Sequence, residues 1–259
     1  MTYFTLNAGA MTPHLEYRLR IADNALILGQ RLSEWCGHAP VLEEDLALAN
    51  IALDLIGQAR LLLTHVGVLE NKGRDEDQLA FLRNEHEYRN VTLVELPNGD
   101  FAATVLRNFL FSAFQTQLWQ ALQMSTDTEL AAIAAKSLKE ARYHQRHSGE
   151  WVIRLGDGTQ ESHTRSQAAL DRLWPYTAEL FSESPVDDAA ARDGLGPAWI
   201  SLQPAWSQAV LPVLEEATLK IPVPSPFRSR GKFGVHSEHF GHLLTEMQYL
   251  QRAYPGGTW

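Results

Sequence analysis

Residues 46–68, "LALANIALDLIGQARLLLTHVGV", are the strongest constraint on the fold. Their apolar residues cover most of the circumference of a helix, so the segment has to be buried on more than one side. A helix of that kind needs other long helices around it. The chain supplies them. Thr12 is placed as a cap with Pro13 in the first turn, and Leu15, Leu19, Ala22, Leu26 and Gly29 recur at helical spacing in a helix that ends at Gly37. Asp100 is an N-cap residue for "FAATVLRNFLFSAFQTQLWQALQ". Thr126 or Asp127 opens another helix from about Thr128 to Leu155, which stops at "GDG". Four long helices of roughly 20 to 28 residues are therefore expected as the core.

Shorter segments fill the rest. "QLAFLRNEHEYRN" reads as a short helix and "VTLVELPNGD" as an extended or irregular piece. "ESHTRSQAALDRLWPYTAELF" reads as a helix kinked or interrupted by Pro175, followed by an acidic, Gly/Pro-bearing loop from Ser182 to Pro197. "AWISLQPAWSQAVLPVLEEATLK" is broadly helical, with breaks expected at Pro204 and Pro212. An extended loop, "IPVPSPFRSRGKFG", leads to a last helix, "HSEHFGHLLTEMQYLQRAY", that ends before Pro255. Strand candidates are few and short. The expectation is an all-α fold in one domain spanning 1–259, with a core bundle over about 13–157 and additional helices over about 160–254.

Composition narrows the function. A formal net charge of −9 argues against a nucleic-acid backbone or an anionic membrane surface as main partner. Cys36 is the single cysteine, so no intrachain disulfide forms, and a reduced cytoplasm is the expected home. The first residues lack a basic stretch followed by an apolar run, so no signal peptide is expected. The longest apolar stretches are interrupted by Asp54, Gln58 and Arg60, or by Arg107, Asn108 and Gln115, and neither reads as a membrane span.

Four long helices with internal polar residues invite a test against the di-metal carboxylate bundle. That chemistry takes one Glu from each of two helices and Glu-x-x-His from each of the other two. The first helix offers Asp23 amid Ile21, Ala22, Ala25 and Leu26. The second offers Asp54, but Gly57 stands where the histidine is needed. Asn50, Asp54 and Gln58 form a polar stripe that reads most simply as a hydrogen-bond network or an exposed edge. The third, Phe101 to Met124, contains no Asp, Glu, His or Cys. Its amides and hydroxyls are weak neutral ligands for iron. The fourth carries Glu140 with Tyr143 at the histidine position; His144 is one residue late, and His147 shares its face. A buried Glu140 would need a partner, with Lys136, Arg107 and Arg142 as candidates. Asp23, Asp54, Glu140 and His144 thus read as positions of a degenerate di-iron site, with no catalytic, cofactor-binding or metal-binding residue assigned.

Other constellations carry less. His236, His239, His242 and Glu246 have zinc-like spacing, but one helix rarely supplies three ligands, so a structural or interface role is the simpler reading. "NEHEYRN" reads as a solvated helix end. Arg228, Arg230 and Lys232 beside Phe227 and Phe233 fit either an anionic contact or a solvated loop. Trp174, Tyr176, Trp199, Trp206 and Trp259 are aromatics for an interface or for the core. Neither a nucleophile elbow nor a phosphate loop is present.

Four blocks, "ADNALILGQRLSEWCGHAPVLEEDLALANIALDLIGQARLL", "NEHEYRNVTLVELPNGDFA", "LKEARYHQRHSGEWVIRLGDGTQES" and "GVHSEHFGHLLTEMQYLQRAYPGGTW", resemble the C subunits of bacterial ring-1,2-phenylacetyl-CoA epoxidases across nearly the whole chain. The resemblance implies a ferritin-like helical bundle within a multicomponent di-iron monooxygenase. It implies that the di-iron centre and the phenylacetyl-CoA site lie in a related catalytic A subunit. It further implies a reductase that uses NADPH, FAD and an iron–sulfur cluster, and a further small subunit. The chain is then expected to be a non-catalytic structural subunit of aerobic phenylacetate catabolism. A free-standing di-iron oxidase or metal-storage protein is the alternative, and ligand completeness discriminates between them.

Overall fold

The computed structural model describes residues 11–257 and is helical throughout, with no strand among the described residues beyond an isolated bridge between Arg230 and Val235. The four long helices are α1 (Pro13–Ser33), α2 (Leu42–Glu70), α5 (Phe101–Leu122) and α6 (Thr128–Gly156). Between them lie α3 (Glu76–Phe81) and the single turn α4 (Thr92–Glu95); α7 (Gln160–Thr177), α8 (Pro185–Arg192), α9 (Gln203–Glu216) and α10 (Phe240–Ala253) follow. The arrangement is that of an all-α, ferritin-like bundle. Helix α1 packs along α2 and α5 along α6 as two hairpins, and the hairpins meet through α2 and α6. That meeting of helices distant in sequence is what positions the site.

The caps follow the sequence. Thr12 accepts from the Leu15 N–H, Asp100 from Ala103, and Asp127 from both Glu129 and Leu130, each satisfying an orphan donor of a first turn. Helix α5 is buried nearly all round, which explains how it carries Phe109, Phe111, Phe114 and Trp119 into the centre. Helix α2 departs from expectation. It is covered on its inner side, but Leu46 (56 % exposed), Leu53 (66 %) and Val68 (73 %) remain in the open along its outer side. By length and composition α2 is also apolar enough to cross a membrane, although its inner side is bound into the bundle.

The additions wrap the far side, and several sequence expectations need correction there. Pro175 and Pro212 lie inside α7 and α9, so neither interrupts its helix, whereas Pro204 does mark a break, standing in the first turn of α9 where the 3-10 turn Trp199–Leu202 gives way to the helix. In the first turn a proline's missing N–H costs nothing. The Ser182–Pro197 stretch contains α8, started by Ser184 as cap and Pro185 in the first turn. The Gln78–Asn90 segment is not one helix: α3 ends at Phe81, a single 3-10 turn spans Glu85–Glu87, and Tyr88 and Asn90 are fully buried rather than solvated. Trp199 and Trp206 belong to the core, Trp199 edge-on to Phe114 at 5.0 Å and Trp206 donating to the Leu110 carbonyl at 2.9 Å. Trp259 lies outside the described residues.

Candidate functional site

The α2–α6 seam collects the polar residues that helical spacing singles out. Because the two helices run antiparallel, rungs ascend α2 as they descend α6. Glu44 accepts from His147 Nε2 at 3.0 Å, Asp54 from His144 Nε2 at 3.0 Å, and Glu140 from the Gln58 amide at 2.9 Å. Gln115 of α5 reaches the Gln58 carbonyl oxygen at 3.4 Å, so the third helix contributes an amide where a di-metal bundle would contribute a carboxylate. At the end of the seam His65 Nε2 meets Asp127 at 2.6 Å, and Arg18 reaches the same carboxylate oxygen through Nε at 2.9 Å. Burial alone would raise the Asp127 carboxyl. These donors, with the backbone N–H groups of the α6 cap, outweigh that desolvation and lower it to about 2.

Tyr143 projects outward, 41 % exposed and stacked with His147 at 5.9 Å, away from any position that a bundle-centre ligand would take. His144 is wholly buried and spends Nε2 on Asp54, while Nδ1 has no hydrogen-bond partner. Asp54 itself is partly open, its side chain 37 % exposed. The Glu140 partner is Gln58, not Lys136, Arg107 or Arg142; Arg107 is committed to the Leu96 carbonyl at 2.5 Å and to Asn98. An amide is sufficient because Glu140 is only half-buried and keeps water on its outer side.

Asp23 is elsewhere. It is fully buried and gripped by Arg83, Nη1 at 2.9 Å and Nη2 on the other oxygen, with the Arg89 N–H at 2.8 Å completing its shell. Burial pulls the Arg83 guanidinium down, but the Asp23 charge and hydrogen bonds more than offset it and leave its pKa raised. Nothing near Asp23 in the sequence announces Arg83, which lies sixty residues on.

Tested against a di-metal centre, the donor set does not fit. Such a site needs carboxylates that bridge and imidazoles that converge. Here each of Asp54, Glu140 and Asp23 is taken by a different imidazole, amide or guanidinium. Among the described residues no three of His, Cys, Asp and Glu form a group able to hold a metal ion.

In the C-terminal part His236 takes a structural role, as expected, but from a different place in the chain, and Lys232 departs from expectation. His236 precedes α10 rather than lying on it, so it shares no helical face with His239 and His242. Its side chain is buried, with Nδ1 at 2.7 Å from Glu95 and Nε2 at 3.2 Å from the Tyr88 carbonyl, stacked on Phe240. Lys232, expected in a solvated or anion-binding loop, is fully buried, bonded to the Ser182 carbonyl at 2.6 Å and to Asp187 at 3.2 Å, which Arg20 also reaches at 3.1 Å. Burial raises the Asp187 carboxyl and lowers the Lys232 amine. Desolvation is the first cause for both, so the pair closes the fold without a large net gain in stability.

Comparison with known proteins gives two matches. Residues 5–259 match the family described as phenylacetic acid catabolic protein. The chain is 50 % identical over 243 residues to the C subunit of the 1,2-phenylacetyl-CoA epoxidase of Escherichia coli (strain K12), covering 94 % of this chain and 98 % of that relative.

Proposed function

Because this chain belongs to the phenylacetic acid catabolic protein family, we propose that it is a non-catalytic structural subunit of a phenylacetyl-CoA ring 1,2-epoxidase, working in the cytoplasm. In this reading it pairs with and stabilises a catalytic A subunit that holds the di-iron centre. A reductase with FAD and an iron–sulfur cluster supplies electrons from NADPH, and the complex also includes a small subunit. The observation that carries the reading is the dispersal of the ligand positions. Asp54 with His144 and Glu140 with Gln58 are closed pairs, and Gly57 and Tyr143 stand where a di-metal bundle places its imidazoles. A carboxylate held by one imidazole or one amide needs no cation, so the geometry is self-sufficient as structure. The apolar row left exposed along α2, with Leu46, Leu53, Leu61 and Val68, supports a role within a complex.

Two measurements test the proposal. Co-expression with a tagged catalytic subunit should retain this chain through purification, and epoxidation by the catalytic subunit should fall when this chain is withheld. Iron analysis of the chain purified alone should give no stoichiometric metal; a bound iron pair with an oxygen-reactive optical spectrum overturns the structural reading and favours a free-standing oxidase.

A further inference from the structure

Between α9 and α10 residues 221–226 read "IPVPSP", so each is either a proline or the residue before one. A proline ring fixes φ at about −65°, and its δ-carbon pushes the preceding residue out of the helical region into extended backbone. With both rules acting along the whole stretch, the backbone is set for polyproline II, a left-handed helix of three residues per turn. The exposure pattern has that period. Pro222 and Ser225 are half-buried, while Ile221, Val223, Pro224, Pro226 and Phe227 are exposed. One edge of the three-sided helix therefore rests on the protein. The other two, Ile221 with Pro224 and Phe227, and Val223 with Pro226, face away from it, and every side chain on them is apolar. Val223 is 87 % exposed. A segment that only had to cross from α9 to α10 would be expected to turn polar side chains to water. Among the described residues, none forms a backbone–backbone hydrogen bond with 221–226, so the arm is not a strand of its own fold.

Both ends of the arm are tied down. Gln167 of α7 brackets Lys220, accepting from its N–H and donating to its carbonyl, each at 2.8 Å. At the far end the Gly231 N–H donates to Thr92 Oγ1 at 3.2 Å, and Lys232 is sunk in the core. Phe227 stands edge-on to Tyr176 at 5.2 Å. From Ile221 to Phe227 the arm runs roughly 19 Å at the polyproline II rise. Its ordering is already accomplished by the prolines and the two ties, so a partner that binds it has little conformational entropy left to remove. Exposed apolar edges of such a helix are what aromatic-lined grooves take up. The charges that follow define the rim of the groove. Arg228 curls back on the Ser225 and Phe227 carbonyls at 2.7 Å, and Arg230 lies over the Phe233 ring at 5.8 Å. Neither guanidinium meets a carboxylate among the described residues, so each has its charge left for a partner's acidic side chain.

We propose that residues 221–228 are a preformed polyproline II ligand that docks into a groove on a companion subunit, lined by aromatic side chains and edged by a carboxylate. The identity of the companion rests on the epoxidase reading; the chemistry of the groove follows from the arm.

The test uses the full-length chain, titrated calorimetrically against the tagged catalytic subunit, small subunit and reductase. Val223→Asp combined with Phe227→Ala strips both outward edges and should weaken binding to the companion that carries the groove by about tenfold or more. A second variant replaces Pro222, Pro224 and Pro226 by glycine. It keeps Ile221, Val223, Phe227 and both arginines and removes only the fixed conformation, so it should weaken the same binding by about ten- to a hundredfold. The changed positions are exposed or half-buried, and both variants should keep the circular dichroism spectrum of the wild type. Wild-type binding that both variants match overturns the proposal and leaves the arm a connector. Binding lost with the aspartate and kept with the glycines overturns it too, because the groove then reads side chains without the polyproline II form. A wild-type chain that binds none of the three companions tells against the epoxidase reading, and the arm's assignment falls with it.

Discussion

Asp23 and Glu140 are both carboxylates on core helices, and the same isosteric change separates their roles. Asp23→Asn replaces one of two accepting oxygens by an NH2 group. The native carboxylate takes Arg83 on both oxygens and the Arg89 N–H on one of them, so the amide NH2 is forced against a donor whichever way it is turned. Arg83 keeps its charge, remains 3 % exposed, and is pinned by its bond to the Leu79 carbonyl and its 4.2 Å stacking over Tyr88, so it cannot swing out to water. An ion pair broken in this way costs about 3–5 kcal/mol. At roughly 2–4 °C per kcal/mol for a chain of this size, the melting temperature should fall by about 6–20 °C. Glu140→Gln leaves a carbonyl oxygen for the Gln58 amide at a half-buried position, so its cost should stay below about 1 kcal/mol. Scanning calorimetry of both variants, with urea melts to check that the slope is unchanged, measures the contrast. If Asp23→Asn melts within about 2 °C of wild type, or if Glu140→Gln is the more damaging of the two, the assignment of Asp23 to structure and of Glu140 to a replaceable seam contact is refuted.

Three further outcomes follow from the same packing. Gly57→Ala should stabilise α2 by up to about 1 kcal/mol, whereas Gly156→Ala should destabilise the fold, because a Cβ there would lie 2.3 Å from the Ala217 carbonyl oxygen; chemical denaturation compares the two. Asp127 has a carboxyl lowered in the folded state, so its contribution is present above the ordinary carboxylate range near about pH 4 and is lost as the pH falls towards about 2; Asp127→Ala should flatten the stability profile over that window by about 1–2 kcal/mol after solvent screening, measured by urea melts as a function of pH. Lys232→Met should cost about 3 kcal/mol, since it leaves Asp187 buried with Arg20 as its remaining cation, and Lys232→Met combined with Asp187→Leu should recover part of that loss in a double-mutant cycle.

The helices were legible in the amino-acid order, because what forms them is local. Thr12, Asp100 and Asp127 cap their own first turns, and a 3.6-residue apolar period shows in any long stretch of α1, α2, α5 and α6. The missing ligands were legible for the same reason: Gly57, Tyr143 and an acid-free third helix are facts of residue type. Prolines misled in part: Pro175 and Pro212 each remove one N–H inside a helix that continues past them, whereas Pro204 does mark a helix start. Partners were decided by tertiary structure alone. Asp23 and Arg83, Glu140 and Gln58, Lys232 and Asp187, and Glu95 and His236 are joined across dozens of residues, and no spacing rule links residues on different elements. Burial of a charge is likewise a property of everything packed around it, which is why Lys232 reads as a solvated loop residue and lies in the core. The uncovered face of α2 appeared only in three dimensions, because an apolar circumference says that a helix must be covered and leaves open whether its own chain does the covering.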